Sequence, residues 1–471
     1  MLARLLMPAD FGLIAAAGVT INAVQIFRDL GLKQTLIARK DSSDEVINAA
    51  FYVSFAMGAF LSVAMFLLSP LVAQFFSAAT VTSILRALSV QMVISSLATV
   101  PTALLEKNLR FREFVGPRVV SASCFAITSL SLALSGCGVW SIVVASCVQS
   151  IVETILIWRK ITWRPKSPRF GMGEVVALLS FSKYIVGVAF GTFLQRNVDT
   201  IAVGKVIGMS ALGAYDLAFN LANALPLAVM QSLNPVATSA FSSIQLERER
   251  LTNVYLRSLR YLTLILFPMG ALVILLAKDG ILTFYGTKWE QAVLPLQILS
   301  IYALARHIGS INGSIFMVTN KVKEWNLIIY LNLALLVIGA IPATRWGGLL
   351  GISIFMASLS IPNSLSAFFL AHRTLGIHPR RYVSLVTLPA LASAGAALTL
   401  LLFVDLSAVR IADYSPKYFL MNVLAMALKG TIFLASCGLF YFIFDKNLTT
   451  ETRDSLRDLL KLNIVFPVVK R

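Results

Sequence analysis

The sequence predicts an all-α, polytopic membrane protein, and three observations carry that assignment. Of 471 residues, 58% are hydrophobic and only 13% charged, with a mean hydropathy of +0.81. A chain this apolar is far outside the composition of soluble domains. Its apolar residues fall into stretches of the roughly 20 residues needed to cross about 30 Å of hydrocarbon. Its Lys and Arg residues collect in alternate loops, 28 in one set with the C-terminal tail and 7 in the other. By the positive-inside rule the rich set and the C-terminus are cytoplasmic.

Thirteen spans are predicted, beginning near residues 11, 47, 82, 115, 138, 178, 211, 257, 291, 325, 348, 384 and 418. The opening residues, from Met1 to Pro8, read as the exit of an earlier helix stopped by Pro8. An odd number of spans with a cytoplasmic C-terminus would also place Met1 outside with no signal to carry it there. Both points predict a 14-helix parent with both ends in the cytoplasm. The span near 11 opens with Phe11-Gly12-Leu13, echoed by Leu212-Gly213-Ala214 at an offset of 201 residues. Such faint symmetry is common in transporters; chance recurrence of an apolar residue and Gly at helix starts is the alternative. Arg28, beside Asp29, reads as a loop anchor. Arg86 and Asp216 fall near the predicted outer interface and Lys183 near the inner one, where long side chains snorkel. The basic loop Trp158–Gly173, with Pro165 and Pro168, is the predicted linker between two helical lobes. In the span near 211, Asn220, Asn223 and Gln231 flank Pro226; they would hydrogen-bond either sugar or a neighbouring helix. After the last span, residues 449–462 mix charges around Leu456, Leu459 and Leu460, the pattern of an amphipathic helix on the membrane face.

Several functions are disfavoured at once. The net charge of +18 is spread over short loops, with no contiguous basic domain to follow nucleic acid. Cys124, Cys137, Cys147 and Cys437 lie in or beside apolar spans and form no disulfide framework. His307, His372 and His378 are scattered. Gly187, Gly191 and Gly204 belong to no phosphate-binding loop, so neither a nucleotide nor another cofactor is expected.

Several stretches together resemble a known family. Leu5-Leu6-Met7-Pro8-Ala9-Asp10-Phe11-Gly12, then Asp29-Leu30-Gly31-Leu32 and Leu36–Asp41, are similar to the opening of bacterial O-antigen and exopolysaccharide (Wzx-type) flippases of the multidrug/oligosaccharidyl-lipid/polysaccharide exporter superfamily. Val100-Pro101, Leu109-Arg110-Phe111-Arg112 and Gly138-Val139-Trp140 continue the resemblance, as do Asp199–Lys205 and Leu212-Gly213-Ala214-Tyr215. The resemblance implies two six-helix lobes and a terminal pair: residues 1–158 with an incomplete first helix, a linker at 159–173, a second lobe at 174–382, a helix pair at 383–445 and a cytoplasmic tail at 446–471. It also implies a substrate, an oligosaccharide on a polyprenyl diphosphate, moved across the bacterial inner membrane. A polysaccharide polymerase or export machinery is the expected partner.

Ionisable groups deep in the membrane cost at least about 2.5 kcal/mol each to insert and mark function. At about 1.5 Å per residue, Arg196 lies roughly 20 Å beyond Lys183, Arg306 about 22 Å past its helix start and Lys429 about 16 Å past its own. Such cations would line a cavity and compensate the diphosphate, Arg as a bidentate donor and Lys as a point charge. Gln195 and Asn197, beside Arg196, extend the candidate substrate site. Mutual neutralisation of Arg196 and Asp199, three residues apart, is the competing explanation; Asp199 is also a candidate coupling-ion or proton site. Two other functions remain in view. A membrane polymerase or ligase should carry a large outer loop, whereas the longest here runs from about Asp405 to Lys417. A cation-coupled drug antiporter of the same superfamily should have an acidic cavity.

Overall fold

A computed structural model of the chain describes residues 2–29, 36, 43–166, 172–403, 414 and 418–444. Among these residues there is no strand. The helices are α1 (Leu2–Leu5), α2 (Pro8–Asp29), α3 (Asp44–Phe75), α4 (Thr80–Lys107), α5 (Phe111–Leu134), α6 (Trp140–Lys160) and α7 (Met172–Val206). They continue with α8 (Met209–Ser243), α9 (Arg248–Gly280), α10 (Val293–Val318), α11 (Val322–Leu375), α12 (Pro379–Phe403) and α13 (Phe419–Phe444). Among the described residues, ten helical segments are long and apolar enough to cross a membrane. The expected amphipathic helix at 449–462 and nearly all of the loop Asp405–Lys417 lie outside the described residues, as do Lys33, Arg39 and Lys40.

Most helix starts fall within about six residues of the predicted span starts, α9 begins nine residues early at Arg248, and one further departure is informative. The spans expected near 325 and 348 are the two arms of α11, whose 54 residues would extend about 81 Å if straight, more than twice the hydrocarbon thickness. The break is Gly348, at φ 58° and ψ −141°, a conformation open to glycine alone. The arms pack against each other through small residues. A Cβ on Gly339 would lie 2.2 Å from the Phe355 ring, and one on Gly351 would lie 2.3 Å from the Ala343 carbonyl oxygen.

Elsewhere, too, small and hydroxylated residues face inward and large apolar residues outward, as expected when the solvent is lipid and close packing holds the helices together. On α3, Ser54, Gly58, Ser62 and Ser69 are buried, while Phe60, Leu67 and Leu71 are exposed. Gly58 meets the Ser96 side chain of α4, and Ser62 Oγ donates to the Ser89 carbonyl at 2.7 Å. The start of α3 is locally encoded: Ser43 caps it by accepting from the Val46 amide, and Asp44 and Glu45 face its positive end.

The helices group into two units. The first comprises Met1–Ala218 with Tyr330–Met356, and the second Phe219–Ile329 with Ala357–Arg471. In the first unit, the starts of α2 and α8 touch backbone to backbone. A Cβ on Gly12 would stand 1.8 Å from the Met209 carbonyl oxygen, and one on Gly213 would stand 1.9 Å from that of Pro8. At the 201-residue offset Gly12 corresponds to Gly213 and Pro8 to Met209, so the contact is reciprocal, as across a two-fold axis. This gives the internal echo a physical basis. In the same unit Arg28 donates to Ser95 Oγ at 2.6 Å, and Arg86 lies 4.8 Å from the Phe66 ring centroid.

The first residues of the expected linker are strapped to this unit. Trp158 and Trp163 stack at 6.2 Å, and both meet the Phe51 edge. The Lys166 amide donates to Asn48 Oδ1 at 3.1 Å, and its carbonyl accepts from Tyr52.

In the second unit, α9 is central, packing against α10, α12 and α13. Its apolar core joins Leu259, Leu262 and Leu266 to Ile308, Ile311 and Ile315 of α10. Polar links between helices include Tyr255 to Asn312 at 2.6 Å and Thr238 to Ser314 at 2.7 Å.

Candidate functional site

The sequence-derived candidates are distributed over the two units. In the first unit, α7 carries Gln195, Arg196, Asn197 and Asp199. Arg196 is exposed, Gln195 and Asn197 are half-buried and Asp199 is fully buried. Asn197 Nδ2 donates to the Phe193 carbonyl one turn earlier at 2.8 Å, leaving its side-chain oxygen to accept from elsewhere. Asp199 Oδ2 accepts from the Tyr215 hydroxyl at 2.8 Å. The two residues are 16 positions apart, so this bond joins α7 to the first turns of α8. Arg196 lies on the exposed side of α7.

In the second unit, Arg306 is half-buried on α10. Its Nη1 donates to Tyr302 Oη at 3.3 Å, and its guanidinium carbon lies 5.8 Å from the Tyr302 ring centroid. Tyr302, one turn earlier, therefore orients the guanidinium. Next to Arg306, buried His307 faces the other way and meets Asn223 Oδ1 at 3.2 Å. Asn223 Nδ2 donates to its own helix at Phe219. Asn223 thus makes a contact between helices, one of the two roles open to it from the sequence.

Lys429 has a different environment. It is 7% exposed on α13, and its Nζ lies 2.7 Å from Asp279 Oδ2, at the end of α9. Tyr414 Oη donates to the other carboxylate oxygen at 3.0 Å. Burial first, then the Asp279 charge, push the Tyr414 phenol up to about 12. Asp279 thus neutralises the Lys429 cation and fixes its place.

The sequence comparisons give this constellation a family. Residues 1–294 match the family described as "Polysaccharide biosynthesis protein". The chain belongs to this polysaccharide biosynthesis family. Among its relatives is the Escherichia coli (strain K12) lipopolysaccharide biosynthesis protein WzxC, 25% identical over 400 residues covering 82% of this chain and 79% of that protein. Another is the succinoglycan biosynthesis transport protein ExoT of Rhizobium meliloti (strain 1021), 24% identical over 307 residues, 65% of this chain and 61% of that one. The fold is similar to that of the lipid II flippase MurJ in an inward closed conformation, with a TM-score of 0.73 at 14% identity, covering 93% of this chain and 95% of that one.

For this member of the polysaccharide biosynthesis family, the side chains that position the candidates are largely ones that sequence reasoning missed. Tyr302 lies one turn before Arg306, a spacing visible in the sequence. Asp279 was concealed by its place at the end of an apolar run beside Lys278, where it reads as a loop residue. Tyr215 lay within a quoted motif, but its bond to Asp199 crosses between helices.

Proposed function

We propose that the protein moves a polyprenyl-diphosphate-linked oligosaccharide from the cytoplasmic to the outer leaflet of a bacterial inner membrane, by alternating access around fixed cations. Arg306 carries the reading: it is a half-buried guanidinium, oriented by Tyr302, with no carboxylate paired to it among the described residues. A diphosphate crossing a low-dielectric region needs such compensation, and a planar fork matches phosphate oxygens. Arg196 is assigned the same task, with Gln195 and Asn197 hydrogen-bonding the head group or its first sugar. Lys429 contributes its charge only when its pair with Asp279 opens. Asp199, which accepts from Tyr215, is the assigned coupling site.

Residues 1–158 and 174–382 act as the two lobes, joined at 159–173. The pair at 383–445 follows, and the tail at 446–471 lies in the cytoplasm. The product is passed to a polysaccharide polymerase outside. Family membership and the named transport relative support this reading over a polymerase or a drug antiporter, and transport itself requires no catalytic step.

Complementation tests it. The chain is expressed in a flippase-deleted strain with a matched sugar pathway, as wild type, Arg306→Ala, Arg306→Lys and Arg196→Ala. Wild type should restore polymer, and the alanine variants should lose it at equal membrane abundance. A stable wild-type protein that never restores polymer while lipid-linked repeats accumulate would overturn the flippase reading.

A further inference from the structure

A cavity of about 800 Å³ opens in the second unit between the first turns of α9 and those of α12, apart from Arg306 and Lys429. Arg248, Arg250, Arg257, Arg260 and Arg381 line it, against only Glu247 and Glu249. Along α9, Arg250, Asn253, Arg257 and Arg260 recur at spacings of three, four and three, which places them on one stripe of the helix. From α12, Arg381 and Ser384 face that stripe. Arg248 Nη2 donates to the Thr374 carbonyl at 2.8 Å, and Arg250 Nη1 to the Glu247 carboxylate at 3.2 Å. Three residues past Arg260, fully buried Thr263 donates to the carbonyl of cavity-lining Leu385 of α12 at 2.9 Å. That bond ties the two helices together.

The cavity lies where both helices change character. Residues 248–260 of α9 are rich in charge, and the next seventeen are without a charged residue. Val254, Leu256 and Leu385 line the cavity beside the arginines. Deeper on the same helices, Ile265 and Leu391 are exposed. A charged rim above an apolar flank is the environment of a phospholipid at the membrane surface, with its phosphate at the rim and its chains along the helices. The basic loops on this side are those read as cytoplasmic, where anionic lipids attract Lys and Arg. Arginine's paired donors match phosphate oxygens.

We propose that this cavity is a binding site for the phosphate head group of an anionic phospholipid of the cytoplasmic leaflet. The lipid clamps α9 to α12, its phosphate lined by Arg257 and Arg260 from the one helix and Arg381 from the other. The site uses none of the residues assigned to transport, so it stands whether or not the flippase reading does.

The test titrates short-chain phosphatidylglycerol, phosphatidylcholine and inorganic phosphate into the delipidated full chain in detergent, following heat and thermal stability. Phosphatidylglycerol should saturate near one per chain and bind at least about tenfold more tightly than phosphatidylcholine, since only the former lacks a neutralising cation. Arg257→Gln and Arg381→Gln should each weaken it by about tenfold. Arg257→Lys, which keeps the charge but loses the fork, should weaken it by a smaller factor. Arg380→Gln is the control, because this exposed neighbour does not line the cavity. Equal losses from Arg380→Gln and Arg381→Gln would show a diffuse field and overturn the proposal. Inorganic phosphate binding as tightly as the lipid, or no preference between the two lipids, would also overturn it. Arg381 is exposed on the first turn of α12, so its variant keeps the test readable if Arg257→Gln impairs folding.

Discussion

Lys429 and Asp279 should behave as one energetic unit. Their charged atoms are 2.7 Å apart, with side-chain exposures of 9% and 16%, so both groups have left most of their water. At an effective dielectric of about 20, two unit charges at that distance attract by about 6 kcal/mol. Desolvation of both ions consumes most of this, so the pair adds little net stability, while removal of one partner strands the other. Lys429→Met or Asp279→Leu alone should therefore cost about 3–5 kcal/mol, whereas the double variant should lie within about 1–2 kcal/mol of wild type. Reversible unfolding in mixed micelles would measure all four proteins. The coupling energy from this cycle should exceed about 2 kcal/mol. Additive single effects, or a Lys429→Met loss below about 1 kcal/mol, would refute the reasoning and mean that water solvates the two groups separately.

Other consequences follow from the same physical picture. Gly213→Ala should cost at least about 3 kcal/mol, because the new methyl meets backbone that cannot rotate away; the yield of monodisperse protein in detergent checks it. Tyr215→Phe should cost about 1.5–3 kcal/mol through loss of a hydrogen bond to a carboxylate, read by the same unfolding assay. Alkaline titration gives a signed test of Tyr414. Its folded pKa of about 12 lies above the ordinary value of about 10, so its contribution is complete below pH 10 and is lost as pH rises towards 12. Thermal stability should fall across that window in wild type and less in Tyr414→Phe. A flat profile in both would exclude the linkage.

The fold was legible because span length and loop charge are local properties. A run of apolar residues announces a helix wherever its neighbours lie, and the starts of α3, α4 and α13 fell within a few residues of expectation. Even Gly348 could be found, because α11 is too long for one crossing. The candidate site was legible only in part. Arg306 and Arg196 stood out by depth alone, but depth says nothing about the face a side chain occupies. Lys429 ranked beside them until Asp279, 150 residues earlier, was found against it. Asp199 drew attention through Arg196, three residues away, yet it also accepts a bond from Tyr215 on the next helix. Helix periodicity records which residues share a face, not which helix that face meets.

The crossing of α2 and α8 has a mechanical consequence. Contacts between side chains yield gradually, since rotamers can shift and methyl groups can slide. At Gly12 and Gly213 peptide groups bear directly on one another, so compression meets a stiff wall and translation is blocked by the carbonyls on either side. The crossing therefore fixes the separation of the two helix starts, and its reciprocal construction means that a displacement of one is met in the same way by the other.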